Sequence, residues 1–218
     1  MYTLCWSAKG GSGTTVVACA LATTSARRRP TILIDLGGDA PAALGVNAPG
    51  GPGVGEWLSS PYATADALSR LAVEVAPDLH LVPAGGLELG ELDEVQAERL
   101  AHACADGALP VVVDAGRHGH HEVLHRGAER SLIVVRPCYL ALRRAVQRPG
   151  LATAAVVVHE PGRALGVSDV ERALGVRVIA EVPWDPAVAR AVDAGLLCHR
   201  MPAVLQKALG RMADAPAR

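Results

Sequence analysis

The stretch Lys9-Gly10-Gly11-Ser12-Gly13-Thr14-Thr15 lies between an apolar run, Tyr2 to Ser7, and a run of small residues rich in Ala, Val and Leu, Thr15 to Ala26. The first run reads as a buried strand and the second as a helix, so the glycines fall at a strand-to-helix turn. Gly10, Gly11 and Gly13 let the backbone close around an anion without Cβ clashes. The helix start beyond them aims unpaired N–H groups and a partial positive charge at that anion. Phosphate is the ligand such a loop is shaped for.

Against the phosphate-loop pattern G-x-x-x-x-G-K-[ST], Ala8 stands for the first glycine and Thr14 for the phosphate-clamping lysine, while Lys9 sits near the start of the loop. The loop resembles the deviant Walker A loop of the ParA/MinD superfamily of ATPases, K-G-G-x-G-K-[ST], whose second, signature lysine reaches nucleotide phosphates, often across a dimer interface. The resemblance implies that Lys9 is this signature lysine and that Lys9, Gly10, Gly11, Ser12, Gly13, Thr14 and Thr15 contact nucleotide. It also implies ATP or ADP with Mg as the cofactor. A cation about 4 Å from a phosphate charge is worth roughly 4 kcal/mol at an effective dielectric of about 20. Losing half of that weakens binding by more than about tenfold. Thr14 offers one hydroxyl and no charge, so the loop suits weak nucleotide binding better than efficient phosphoryl transfer, which depends on charge neutralisation. A glycine turn that binds nothing is the alternative.

A chain of 218 residues, half of them hydrophobic, is long enough to bury one substantial α/β core, and the expectation is a single nucleotide-binding domain over 1–218. With three Trp, three Tyr and no Phe, that core must be packed with Val, Leu, Ala and Ile. The net charge of −1 argues against a strongly electrostatic grip on nucleic acid or anionic lipid. Cysteines at 5, 19, 104, 138 and 198 form no C-x-x-C pair and read as buried thiols in a reducing compartment. With no leader-like start and no apolar run near 18 residues, the expected location is the cytoplasm.

Further along, Arg27-Arg28-Arg29 and Pro30 close the first helix. Thr31 to Leu36 reads as a second buried strand ending in Asp35, in the region of the superfamily's first switch. There a D-x-D pair helps organise Mg and the attacking water; Asp35 matches its first member, Gly37 replaces the second, and Asp39 is a candidate to reach the site instead. Residues 37–61 are rich in Gly and Pro, with short helical pieces around Ala42 and Glu56-Trp57-Leu58 and with Trp57 expected as an anchor. A helix over Ala63 to Leu71 and short strands at Val73 to Val75 and Leu79 to Val82 follow. Leu92 to Ala105 reads as a helix that buries Leu92, Val95, Leu100 and Ala103 and leaves Glu91, Glu94, Glu98 and Arg99 outside.

Leu109 to Asp114 is an apolar strand ending in a carboxylate, the physical form of a Walker B element, and Asp114-Ala115-Gly116 resembles the family's second switch. Thr15, Asp35 and Asp114 are therefore the candidate Mg ligands. His121-Glu122-Val123-Leu124-His125 matches H-E-x-x-H, but no third ligand is marked, and no zinc is expected; a solvated helix is the default reading, with adventitious metal binding by His118, His120, His121 and His125 as the lesser one. Ser131 to Arg136 and Ala154 to Val158 read as further strands. Ser168 to Glu171 looks like a capping box opening a helix that ends at Gly175. After the last strand, Val176 to Val182, Pro183-Trp184-Asp185-Pro186 resembles the family's I-P-x-D segment, which implies that Pro183 and Asp185 lie beside the nucleotide base. Trp184 is placed there too, either stacked on a ligand or partner or packed at the edge. Pro202 to Met212 is an amphipathic helix, read as a cap on the sheet rather than a membrane helix.

Together these features imply an α/β fold with a mostly parallel sheet covered by helices on both faces. The leading functional expectation is a ParA/MinD-like pseudo-ATPase, a positioning or assembly switch acting through a homodimer or a protein partner, with membrane or DNA contact unsupported. The TadZ/CpaE branch is the relevant comparison for its atypical Walker loop. A slow ATPase relying on Lys9 and Asp39, and a nucleotide-free interaction module, are the alternatives.

Overall fold

The computed structural model describes residues 1–47, 50–87, 89–117 and 121–214. The apolar runs form β1 (Tyr2–Trp6), β2 (Thr31–Asp35), β3 (Val73–Ala76), β4 (Leu79–Val82), β5 (Val111–Gly116), β6 (Arg130–Val135), β7 (Ala154–His159) and β8 (Val178–Pro183). They make one sheet in the order β3-β4-β2-β5-β1-β6-β7-β8. Every neighbouring pair is parallel except β3 with β4.

The connecting helices are α1 (Thr14–Ala26), α2 (Ala40–Leu44), α3 (Val54–Ser59), α4 (Ala65–Arg70), α5 (Glu94–Asp106), α6 (Glu122–Gly127), α7 (Tyr139–Val146), α8 (Val167–Leu174), α9 (Pro186–Asp193) and α10 (Ala203–Asp214). Alternation along the strands feeds two apolar layers. Leu4, Trp6, Ile34, Val113 and Ile133 pack with Leu100 of α5 and Leu124 of α6 on one face. Cys5, Leu33, Val112 and Leu132 pack with α1 and α10 on the other.

Helix α1 is buried along most of its surface between the sheet, α2 and α10, which is why it is built from small residues. Of its buried threonines, Thr23 and Thr24 donate their hydroxyls to the carbonyls of Cys19 and Ala20 at 2.7 Å. Trp57 is an anchor as expected: it is buried, and its indole N–H donates to Thr64 O at 2.8 Å.

Four local readings need correction. Val95 is 63% exposed, because α5 begins at Glu94 and turns Ala97, Leu100, Ala101 and Cys104 inward instead. Arg99 is not simply outside: its guanidinium lies 4.7 Å from the centre of the Trp57 ring and donates to the carbonyls of Trp57, Ser60 and Ala63, tying α5 to the end of α3. Helix α8 is entered at Gly166, which has no side chain to complete a capping box but whose N–H donates to Asp169 Oδ2 at 2.9 Å; Ser168 is already helical, and Glu171 accepts the Val178 N–H of β8. His125 is buried against the edge of Trp6, with Nδ1 2.8 Å from Ser131 Oγ, while His121 caps α6 through Val123 N. Helix α6 is therefore not solvated all round, and its two histidines serve the core and the cap separately. His118 and His120 lie outside the described residues.

The terminal helix α10 buries Leu205, Leu209 and Met212 against α1 and β8. Its end is tied to the sheet by Arg130, which donates to Met212 O at 2.8 Å. Truncating a fully buried leucine in a closed layer removes its transfer free energy and leaves a cavity. Leu205→Ala is therefore expected to lower stability by about 2–4 kcal/mol, measured as a shift in the urea midpoint at unchanged m-value. A helix that merely lay on the surface ready to enter a membrane would show almost no shift.

Candidate functional site

The chain leaves β1 at Trp6 and turns through the glycine loop into α1. Gly11 and Gly13 have φ of 75° and 89°, a backbone that side chains with a Cβ resist. The loop is braced internally by Ser12, whose hydroxyl donates to Lys9 O at 2.7 Å. It lies at the C-terminal end of the central strands, where open parallel sheets bind their ligands.

On the side facing β2 and β5 the loop opens into a cleft of about 340 Å³ lined by Ser7, residues 10–16, Gly37, Asp39, Gly116 and Arg117. On the other side a more apolar cavity of about 310 Å³ shares Gly11, Ser12 and Gly13 and is walled by Val158, Val182, Pro183, Trp184, Asp185 and Val188. Sites read at opposite ends of the sequence thus meet across one loop. A larger space of about 410 Å³ opens at the far end of the strands near Met1, Arg29 and Arg130, away from the glycine loop.

The two strand-end carboxylates stand side by side, since Asp35 and Asp114 are register partners of β2 and β5. Both are fully buried. Asp35 accepts three backbone N–H groups, from Gly37 at 2.9 Å, Gly38 at 2.8 Å and Ala40 at 3.0 Å, so it holds the turn into α2. Burial raises its pKa while these donors oppose the rise.

Asp114 accepts only the Gly116 N–H, at 3.1 Å through Oδ1, and Oδ2 has no hydrogen-bond partner among the described residues. Burial pushes its carboxyl up to about 7, and neighbouring Asp35 adds to the rise. The Thr15 hydroxyl favours the ionised form, although it stops short of strict hydrogen-bond geometry. A buried carboxylate oxygen with a free lone pair, facing a phosphate-shaped loop and a threonine hydroxyl, is suited to a hydrated divalent cation.

Position 37 looks onto this pair: a Cβ there would lie 3.7 Å from Asp35 Oδ1 and 3.9 Å from Asp114 Oδ2. The glycine therefore removes an acid from the site itself. Asp39 lines the cleft, and its side chain makes no cap bond to α2.

Of the basic groups, Lys9 turns onto its own loop, with Nζ 3.3 Å from Gly10 O. Two arginines that the sequence reading missed also stand against the loop. Arg136, just after β6, donates to Gly11 O at 3.2 Å, pairs with Glu160 at 2.9 Å and lies 4.9 Å from the centre of the Trp184 ring. Trp184 thus carries an arginine over its ring and keeps 47% of its surface exposed at the rim of the apolar cavity. Arg117 follows Asp114-Ala115-Gly116 and crosses Gly10; a Cβ on Gly10 would sit 3.2 Å from its Cδ. Asp185 caps α9 by accepting Ala187 N–H at 2.8 Å. The only prior signal for Arg117 was its place directly after Asp114-Ala115-Gly116.

The raised pKa of Asp114 has a thermodynamic consequence in the metal-free protein. Its unfolded value is 3.8 and its folded value about 7. Between these the folded chain holds more protons, so stability is full below the lower value and declines as pH rises through the upper one. Asp114→Asn keeps an acceptor for Gly116 N–H and removes the buried charge. In EDTA at pH 8 this variant is expected to be about 2–4 kcal/mol more stable than the natural chain, and the advantage should shrink towards zero as pH approaches 4. Chemical denaturation at several pH values checks this; a pH-independent difference would contradict it.

The sequence matches the family model described as the CobQ/CobB/MinD/ParA nucleotide binding domain over residues 4–198. No curated protein matches it as a relative. Among solved structures, the fold is similar to a ParA family ATPase from Chlorobium tepidum TLS, with TM-score 0.78 and 18% identity over 98% of this chain and 97% of that one. It is similar to the MinC:MinD cell division protein complex of Aquifex aeolicus, with TM-score 0.75 and 21% identity over 98% and 93%. It is also similar to the septum site-determining protein MinD complexed with Mg-ADP from Pyrococcus horikoshii OT3, with TM-score 0.73 and 15% identity over 98% and 95%. With a glycine loop entering α1, acids at the ends of β2 and β5, and a family match over most of its length, the chain belongs to the CobQ/CobB/MinD/ParA nucleotide-binding domain family.

Proposed function

We propose that this protein is a ParA/MinD-type switch that binds Mg·ATP or Mg·ADP weakly, hydrolyses it little or not at all, and acts as a positioning or assembly factor through a homodimer or a protein partner in the cytoplasm. The carrying observation is the cradle's retained shape beside its missing charge. Gly11 and Gly13 keep the left-handed turns and Asp114 keeps a spare buried oxygen, yet Thr14 stands where the clamping cation belongs.

Thr15 and Asp114 fit a Mg ion, the first through its hydroxyl and the second through water, with Asp35 holding the turn beside them. Bound there, Mg would neutralise polyphosphate charge. The loop N–H groups would hold the phosphates, and the cavity between Val158, Pro183 and Trp184 would take the base. Without Lys at 14 or an acid at 37, charge neutralisation and water positioning are both impoverished, which supports a switch over a hydrolase.

Support for a partner-bound role is of two kinds. The MinD of Aquifex aeolicus is seen in complex with MinC. In this chain α10 spends its apolar face on the fold, which favours a protein partner over a lipid surface. No helix among the described residues is long and apolar enough to cross a membrane. Kinship with the TadZ/CpaE branch rests on the atypical Walker loop. The slow-ATPase reading draws on Asp39, which lines the cleft, and needs Lys9 to leave Gly10 O.

Titration calorimetry with ATP and ADP in Mg, alongside a phosphate-release assay, separates the readings. Binding without release is expected. Sustained release would favour the slow ATPase, and absence of heat at millimolar nucleotide would favour an interaction module. Thr14→Lys is expected to raise Mg·ATP affinity about tenfold; an unchanged affinity would show that this charge does not limit binding.

A further inference from the structure

The geometry points to Arg117 as the cation that binds the nucleotide polyphosphate in place of the lost loop lysine, an assignment that rests on the nucleotide-switch reading above. A cleft shaped for phosphate needs positive charge that is near the loop, aimed into the cleft and not already spent. Lys9 does not line the cleft, and its ammonium is turned onto Gly10 O. Arg136 lies on the far side of the loop and is committed to Gly11 O, Glu160 and the Trp184 ring. Arg117 is the one cationic residue lining the cleft, and it makes no hydrogen bond or ion pair among the described residues.

Its position is built rather than incidental. Strand β5 ends at Gly116, whose φ of 51° turns the chain back, and whose carbonyl takes the Ser7 N–H at 2.9 Å and so fixes it to the loop. From there the Arg117 side chain crosses Gly10, where the missing Cβ leaves room for its aliphatic stem; Cδ, Nε and Cζ lie 3.2, 3.5 and 3.9 Å from the point a Cβ would occupy. The guanidinium thus lies beside Gly10 at the loop, in the lining of the cleft, and the nearby strand β5 carries Asp114, whose Oδ2 has no hydrogen-bond partner among the described residues. Arg117 also directly follows Asp114-Ala115-Gly116, the segment that resembles the second switch and carries the candidate metal acid. Phosphate binding through it would therefore pull the switch onto the loop, which a lysine inside the loop cannot do. A planar guanidinium suits two phosphate oxygens at once.

The test uses the full chain and Mg·ATP as probe, by titration calorimetry at two salt concentrations, with melting temperatures as the control for folding. Arg117→Gln is expected to lose about tenfold in affinity and to flatten the salt dependence while melting like the natural protein. Arg117→Lys should recover part of the loss, and Thr14→Lys added to Arg117→Gln should recover most of it, because a charge at either position serves the same phosphates. If Arg117→Gln binds as well as the natural chain, the assignment is wrong although the nucleotide reading stands. It is equally wrong if lysine at neither position restores the loss. Failure of the natural chain to bind millimolar Mg·ATP would overturn both readings together.

Discussion

A parallel sheet covered on both faces can tolerate polar side chains only where they find hydrogen-bond partners, chiefly where its strands end, and this constraint arranges the molecule. The interior of the sheet is mostly Val, Ile, Leu and Ala, with Tyr2, Cys5 and Trp6 on β1, and the central strands β2 and β5 carry Asp35 and Asp114 at or near their C-terminal ends. Two carboxylates so placed must find donors or remain protonated. Asp35 finds three backbone N–H groups and thereby shapes the turn into α2; Asp114 finds one, and is left with a titrating proton and an unused oxygen. The asymmetry gives the pair different characters. One acid is part of the scaffold and the other is available chemistry.

The glycine loop is the complementary half. Its N–H groups and the start of α1 provide diffuse positive potential, and α1 is held rigidly because it is buried along most of its length. The frame stands with a neutral residue in it: Gly11 and Gly13 hold left-handed turns with threonine at position 14. The cradle's shape and its electrostatic strength are separable. Shape persists here, and besides Lys9 two arginines outside the loop pattern, Arg117 and Arg136, lie against it.

Much of the architecture was legible in the residues. Apolar runs of strand length separated by helix-length segments gave every strand within a residue or two of its observed bounds, and the glycine loop and the Asp-terminated strands located the site. The corrected readings share one cause, which is that one-dimensional periodicity does not name the neighbour. Val95 has a helical spacing but no partner layer above it, His125 lies in a polar-looking segment but meets Trp6 and Ser131, and Arg99 looks solvated but finds Trp57.

The sequence by itself determined the α/β class, the strand-loop-helix at the amino end and the placement of acids at strand ends, because burial on two faces and left-handed turns restrict residue types locally. Only the tertiary structure decided which charges share a cleft. Arg117 reaches Gly10 from more than a hundred positions away, and Arg136 is drawn off to Glu160 and Trp184. These pairings depend on how the crossover helices deliver β1, β5 and β6 side by side, and no local pattern carries that information.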